Sequence, residues 1–222
     1  MLGGSGRGKT VLLKHLEGLL RPDAGTVVIG GHDISSGDPV QLEAVRRLIG
    51  IAFQSGALFD SLTVEQNVGF PLLEHTEDDD AKRRKRVEEV LGLVGLTGVG
   101  AKLPAELSGG QKKRIGLARA IALSPKVILY DEPTTGLDPI RADTINELVL
   151  KLQRELSITS IVVTHDMRSA EKIADRIVML YDGKIAWDGT PEEIVKSDVP
   201  LIRGFVEGRS DGQLPGLDAK LD

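Results

Sequence analysis

The chain has 222 residues, enough to bury one proper core, either as a single domain or as a domain with a subdomain. A net charge of −5 leaves no basic excess for a nucleic-acid partner, and the absence of cysteine excludes disulfides and thiolate–metal sites. No apolar run reaches the ~18 residues of a membrane span, and no charged-then-apolar leader opens the chain. The chain therefore reads as soluble and cytosolic, with an aliphatic core because aromatics are few.

Taken in order, Gly3-Gly4-Ser5-Gly6-Arg7-Gly8-Lys9-Thr10 comes first, with only Met1 and Leu2 before it. Val11 to Leu20 predicts a helix, with Leu12, Leu16, Leu19 and Leu20 on one face. After the breaker Arg21–Gly25, Thr26–Ile29 reads as a strand and residues 40–47 as a short helix. Ile49–Phe53 is a buried strand ending at Gln54. From Ser55 to about Ala122 the pattern is helical, with Val87, Val90, Leu91 and Val94 on one face. Glu77–Asp80 ahead of that helix and the bases after it read as a solvated helix start. Lys126–Tyr130 is a strand running into Asp131-Glu132-Pro133, and a helix follows with Ile145, Leu148, Val149, Leu152 and Leu156 in register. Thr159–Thr164 is a strand ending at His165, and Met167 to Ala174 make a short helix. Asp182-Gly183 joins two strands as a hairpin, and Thr190-Pro191-Glu192-Glu193 starts a last helix. The tail from Gly208 is predicted to be poorly ordered.

Strands alternating with helices predict a parallel sheet covered on both faces. Ligands of such sheets bind beyond the carboxyl ends of the strands, which is where Gln54, Asp131 and His165 fall. Gly3–Thr10 fits G-x-x-x-x-G-K-[ST], the phosphate-binding P-loop or Walker A pattern. Its glycines let successive N–H groups point into one concavity at a helix N-terminus, which suits a polyphosphate. Lys9 can reach β- and γ-phosphates and the Thr10 hydroxyl can ligate Mg²⁺. The bland reading is a glycine-rich turn, and the usual context includes a strand before the loop.

Together the motifs resemble the ATPase subunit of an ABC transporter, from Gly3 to about Glu193. Beside Walker A stand the Q-loop Gln54, the signature Leu107-Ser108-Gly109-Gly110-Gln111, the Walker B run Val127–Asp131 with Glu132, the D-loop Gly136-Leu137-Asp138-Pro139 and the switch His165. The resemblance implies an α/β P-loop NTPase: a mainly parallel sheet flanked by helices (about 1–54 and 123–195), a helical subdomain (about 55–122) and a C-terminal extension (about 196–222). It implies ATP and Mg²⁺ as ligands. Gly3, Gly4, Ser5, Gly6, Arg7, Gly8, Lys9 and Thr10 would bind the nucleotide, and Thr10, Gln54 and Asp131 the metal. Glu132 would act as base or water-positioner, His165 would sense the γ-phosphate, and Gln54 would contact metal and water and relay the nucleotide state. The plain alternative for Asp131-Glu132 is a cap on the next helix, and for His165 and Gln54 a structural turn. His15, His32 and His75 read as surface or packing residues. Ser108, Gly109, Gly110 and Gln111 would close over nucleotide bound by a second copy in a head-to-tail dimer, with Asp138 bridging the two sites.

The run Gln54–Val64, with Glu65–Leu72 and Pro200–Gly208, resembles the ATPases of Mla/Mce-type importers of phospholipids or other hydrophobic compounds. That resemblance implies membrane permease subunits docked at the segment after Gln54, a lipid-binding partner, and a place on the cytoplasmic face of the inner membrane. Amino-acid- and methionine-type importers share the catalytic motifs. DNA- and ribosome-acting relatives are disfavoured, since there is no room for a long coiled coil and only one cassette is present. A non-catalytic regulator is disfavoured by Glu132 and His165, and an inactive, truncated nucleotide-binding form stands as a further alternative. The family carries more chain before Walker A: an antiparallel β-layer, an adenine-stacking aromatic and the strand leading into the loop. The start at Met1 is accordingly read as misassigned or internal. Without that strand the sheet is expected to show an exposed edge and to hold Lys9 poorly.

Overall fold

The computed structural model describes residues 1–4 and 6–208. The elements are α1 (Lys9–Leu16), β1 (Val28–Ile29), β2 (His32–Asp33), α2 (Pro39–Leu48), β3 (Ile49–Ala52), α3 (Val64–His75), α4 (Asp80–Leu93), α5 (Gly109–Ile121), β4 (Val127–Asp131), α6 (Pro139–Leu156), β5 (Thr159–Val163), α7 (Met167–Ile173), β6 (Ile177–Tyr181), β7 (Lys184–Gly189), α8 (Pro191–Val195) and α9 (Pro200–Glu207). β3, β4 and β5 form a parallel sheet in that order, β6 pairs with β7 antiparallel, and β1 pairs with β2.

Met1 and Leu2 stand in the gap between β5 and β6. The Thr164 N–H donates to Met1 O at 3.1 Å, the Leu2 N–H to Val178 O at 2.8 Å and the Leu180 N–H to Leu2 O at 2.9 Å. Leu2 pairs parallel with Met179 and is wholly buried. The edge expected to be open is thus paired at one end: Met1 bonds β5 only at Val162 and Thr164, while among the described residues 159–161 have no strand on that side, and the P-loop leaves from a paired position.

Alternate residues of β4 feed opposite faces of the sheet. Ile128 and Tyr130 enter the cluster holding Ile115, Val149 and Leu152, whereas Leu129 joins Leu13, Val45 and Val163 beneath α1 and α2. A third cluster sets Leu2, Ile177 and Met179 against Ile194 and Ile202, so α8 and α9 cover the far end.

α1 is shorter than its periodicity suggests. It stops at Leu16, and Gly18 at φ +68° turns the chain away. Leu13 is its buried apolar residue, while Leu19 and Leu20 are exposed. Thr63, Ser108, Asp138 and Thr190 cap α3, α5, α6 and α8. Asp182 (φ +48°) and Gly183 (φ +70°) make the hairpin turn expected of that pair. α9 is absent from the sequence-based elements, and the predicted disorder beyond Gly208 falls outside the described residues.

Candidate functional site

The site lies at the carboxyl ends of β4 and β5, facing the loop that follows Leu2. Lys9, the first residue of α1, is 7% exposed; its Nζ donates to Gly3 O at 2.7 Å and Gly4 O at 3.0 Å. The same ammonium stands 3.9 Å from Glu132 Oε1. A Cβ on Gly3 would sit 2.7 Å from Leu180 O, so only glycine lets the loop leave the sheet that close to β6. Around Gly6 and Gly8, by contrast, a Cβ would meet nothing within 4 Å. The Arg7 guanidinium lies 4.9 Å over the Tyr181 ring, outside the loop. Thr10 is exposed on the first turn of α1, and Ser5 lies outside the described residues.

Glu132 has φ +49°, a left-handed conformation that costs a non-glycine residue about 1–2 kcal/mol. It is held because its N–H donates to Val163 O at 2.9 Å. The conformation aims the carboxylate inward. Oε2 lies 2.8 Å from His165 Nδ1 and accepts the Thr135 hydroxyl at 3.1 Å. Lys9, Glu132 and His165 thus form one contiguous group drawn from three separate segments. Asp131 is half-buried beside it, and its carboxyl is raised above the usual range by burial first, then by the Glu132 charge, with Lys9 opposing. The Asp131-Glu132 pair does not cap the next helix; Asp138 does, accepting the Arg141 N–H at 3.0 Å.

Gln54 shares a cavity of about 510 Å³ with Asp131, Gly109, Lys113 and Gly136. The signature itself opens α5: Ser108 accepts the Gln111 N–H at 3.3 Å and Gln111 Oε1 accepts the Ser108 N–H at 2.9 Å, a reciprocal cap. A Cβ on Gly109 or Gly110 would meet nothing within 4 Å, so this glycine-rich helix start faces open space.

Some contacts have no motif to announce them. Lys113 Nζ donates to Gln54 O at 2.7 Å, and Arg119 donates to Gly56 O at 2.9 Å and Ala57 O at 2.8 Å. Burial lowers the pKa of both cations. α5 therefore grips the chain after Gln54 by three charge-assisted bonds. Nearby, Asn67 is fully buried and staples the loop before α3: it accepts the Phe59 N–H at 2.8 Å and donates to Phe59 O, Leu62 O and Thr63 O. This presents Phe59 beside Phe70, ring centres 4.9 Å apart, at an apolar groove of about 440 Å³ lined also by Phe53, Ile51 and Leu123. The remaining histidines have local partners: His15 with Val11 O, His32 with Gln41 and His75 with Glu43.

Among the described residues, no group of three or more His, Cys, Asp or Glu could hold a metal ion by itself, and no helix is long and apolar enough to cross a membrane.

Residues 1–135 match the family model described as "ABC transporter". The "Probable ribonucleotide transport ATP-binding protein mkl" of Mycobacterium tuberculosis strain H37Rv is 42% identical over all 222 residues, which amount to 62% of that relative's length. The "Intermembrane phospholipid transport system ATP-binding protein MlaF" of Haemophilus influenzae is 43% identical over 212 residues, 96% of this chain and 80% of that one. Among solved structures, the dimeric ATP-binding cassette MJ0796 in a post-hydrolysis state with ADP and Pi superposes with a TM-score of 0.77, at 36% identity and covering 86% of this chain and 83% of that one.

Proposed function

The chain belongs to the ABC transporter family, and from that premise we propose that it is the ATP-binding and ATP-hydrolysing subunit of a transporter for phospholipids or other hydrophobic compounds. The observation that carries the reading is the convergence of Lys9, Glu132 and His165 on one point beside the P-loop. Phosphoryl transfer to water needs positioning and charge stabilisation more than covalent chemistry. Lys9 now rests on the carbonyls of Gly3 and Gly4; a polyphosphate would take over that ammonium and the N–H groups of residues 4–10. Glu132 is the base that orients and deprotonates the attacking water, and His165 holds its carboxylate and contacts the terminal phosphate.

The donor set suits Mg²⁺: a Thr10 hydroxyl, the Asp131 carboxylate and the Gln54 amide, too few for an all-protein cage and typical of an ion that keeps waters and phosphates. Bound there, the ion would neutralise charge on the phosphates. Asp131's raised pKa fits a carboxyl whose charge is fully compensated only when a cation is beside it.

The signature at Ser108–Gln111 opens into solvent, which supports its use on a nucleotide held by a second copy, with Asp138 at the seam. The dimeric assembly of the MJ0796 cassette supports the same arrangement. The Phe53–Phe59–Phe70 groove is read as the seat of a membrane permease segment, with the subunit peripheral on the cytoplasmic face. The two relatives' names point to different cargoes, phospholipid and ribonucleotide, so cargo is tested directly. The protein is reconstituted with its co-purified membrane partners in vesicles, and ATP hydrolysis is measured with phospholipid, ribonucleotide or neither. Stimulation by phospholipid, lost in Glu132→Gln while ATP binding remains, is expected. Stimulation by ribonucleotide alone would overturn the cargo, and turnover by Glu132→Gln at the wild-type rate would overturn the catalytic assignment.

A further inference from the structure

A buried polar cluster lies under the turn that carries His165. Thr134, Asn146 and Ser169 are 6%, 4% and 2% exposed. Asn146 Nδ2 donates to Ser169 Oγ at 2.9 Å, and the Ser169 hydroxyl donates to Asp166 Oδ2 at 2.6 Å. The Thr134 hydroxyl lies 3.5 Å from the same Ser169 oxygen. Since Ser169 has one proton and gives it to a carboxylate, Asn146 must present its NH₂ here; a flipped amide would face one acceptor with another. That leaves Asn146 Oδ1 buried without a partner among the described residues. Burying these groups costs more than burying apolar ones of the same shape, and a half-satisfied network does not improve a core.

The connections give the cluster a use. Thr134 lies two residues after Glu132, Asp166 is the neighbour of His165, and Asn146 sits on α6, whose N-cap is Asp138. Asp166 also accepts the Arg168 N–H at 3.1 Å as cap of α7, and its own N–H donates to Thr164 Oγ1 at 3.0 Å. The segments that bear the histidine and the D-loop aspartate are therefore tied at one serine oxygen, and Thr134, on the segment that bears the acid, lies against it at 3.5 Å. α6 places Asp138 about 12 Å along its axis from Asn146.

We propose that Thr134, Asn146 and Ser169 are positioning residues that set His165 against Glu132 and tie that pair to α6, so that a displacement of Asp138 is felt at the histidine. The inference rests on the assignment of His165 to hydrolysis given above. It accounts for why two adjoining helices meet through a hydroxyl and an amide at a place that leucine and alanine would fill.

The test uses Asn146→Leu, Ser169→Ala and the double variant of the full-length protein, with His165→Ala as reference. Steady-state ATPase rates and thermal unfolding are measured on all four. The expected result is a fall in kcat of at least about tenfold, as for a catalytic group misplaced by a fraction of an ångström, with KM for ATP unchanged. The double variant should be no slower than the worse single, since both remove one link. Its unfolding temperature should stay within a few degrees of wild type, because the loss of the orphaned Asn146 oxygen offsets the loss of the Ser169 hydroxyl from Asp166 and Thr134. Rates within twofold of wild type, or rates that fall only where the unfolding temperature falls, would overturn the proposal. If His165→Ala itself hydrolyses ATP normally, the assignment of the histidine fails, and the inference with it; a slow His165→Ala beside a normal Ser169→Ala fails the inference alone.

Discussion

Gly56→Ala should weaken the seam between α5 and the chain after Gln54. Gly56 has φ +79°, and a Cβ there would lie 2.7 Å from Lys112 O and 3.2 Å from Lys112 C. One turn further along the same helix, Gly116 approaches so closely that its own Cβ would be 3.0 Å from Gly56 Cα. An alanine therefore carries two costs. The left-handed conformation costs roughly 1 kcal/mol, and moving a helix backbone off a carbon–oxygen contact some half an ångström too short is overpacking, about 1–3 kcal/mol. The stiffer unfolded chain offsets about 0.5 kcal/mol. The net is about 1.5–3.5 kcal/mol, or a fall in unfolding temperature of about 3–14 °C at this chain length. Scanning calorimetry reads it directly. The same displacement pulls Gln54 O and Gly56 O away from Lys113 and Arg119, so ATP turnover should fall further than the fraction unfolded explains. An unfolding temperature within about 1 °C of wild type, with unchanged turnover, would refute the claim that α5 and this loop are packed as one body.

Two predictions concern charge. The Glu17 carboxyl is pushed up from its ordinary value of 4.5, chiefly by burial, then by Asp131, with Lys14 opposing. Folding therefore disfavours its charged form, and stability declines as pH rises above that ordinary value. Glu17→Gln should unfold at a higher temperature than wild type at pH 7, with the advantage closing at pH 4; a wild type that is the more stable at pH 7 would contradict this. Asp131 is raised by burial and by Glu132, so Asp131→Asn should be the more stable protein without nucleotide while losing Mg²⁺-dependent hydrolysis. Unfolding curves and a Mg²⁺ titration of turnover check both halves, and an Asp131→Asn that unfolds earlier than wild type would show that the charge is already compensated.

Much of this protein is legible in one dimension because the relevant physics is local. A glycine spacing that opens backbone N–H groups, a carboxylate at the end of an apolar run and Ser108 three residues before Gln111 are chemical statements about neighbours in the chain. The strands Ile49–Ala52, Val127–Asp131 and Thr159–Val163, the α6 stripe of Ile145, Leu148, Val149 and Leu152, and the Asp182-Gly183 hairpin follow from such patterns. Periodicity fails where a single turn overrides it, as at Gly18, which ends α1 before Leu19 and Leu20 can be buried.

What only the tertiary structure decided is pairing between distant segments. That Met1 and Leu2 fill a strand position is invisible in two residues, because the ladder that accepts them lies some 160 and more residues on, at Val162, Thr164 and Val178. That Lys9, Glu132 and His165 touch, that Lys113 and Arg119 hold the carbonyls after Gln54, and that Asn146 meets Ser169 beneath the histidine all depend on how sheet and helices stack. Side-chain chemistry is written in the sequence, but the distances that make it a site come from long-range packing, whose partners carry no mark along the chain.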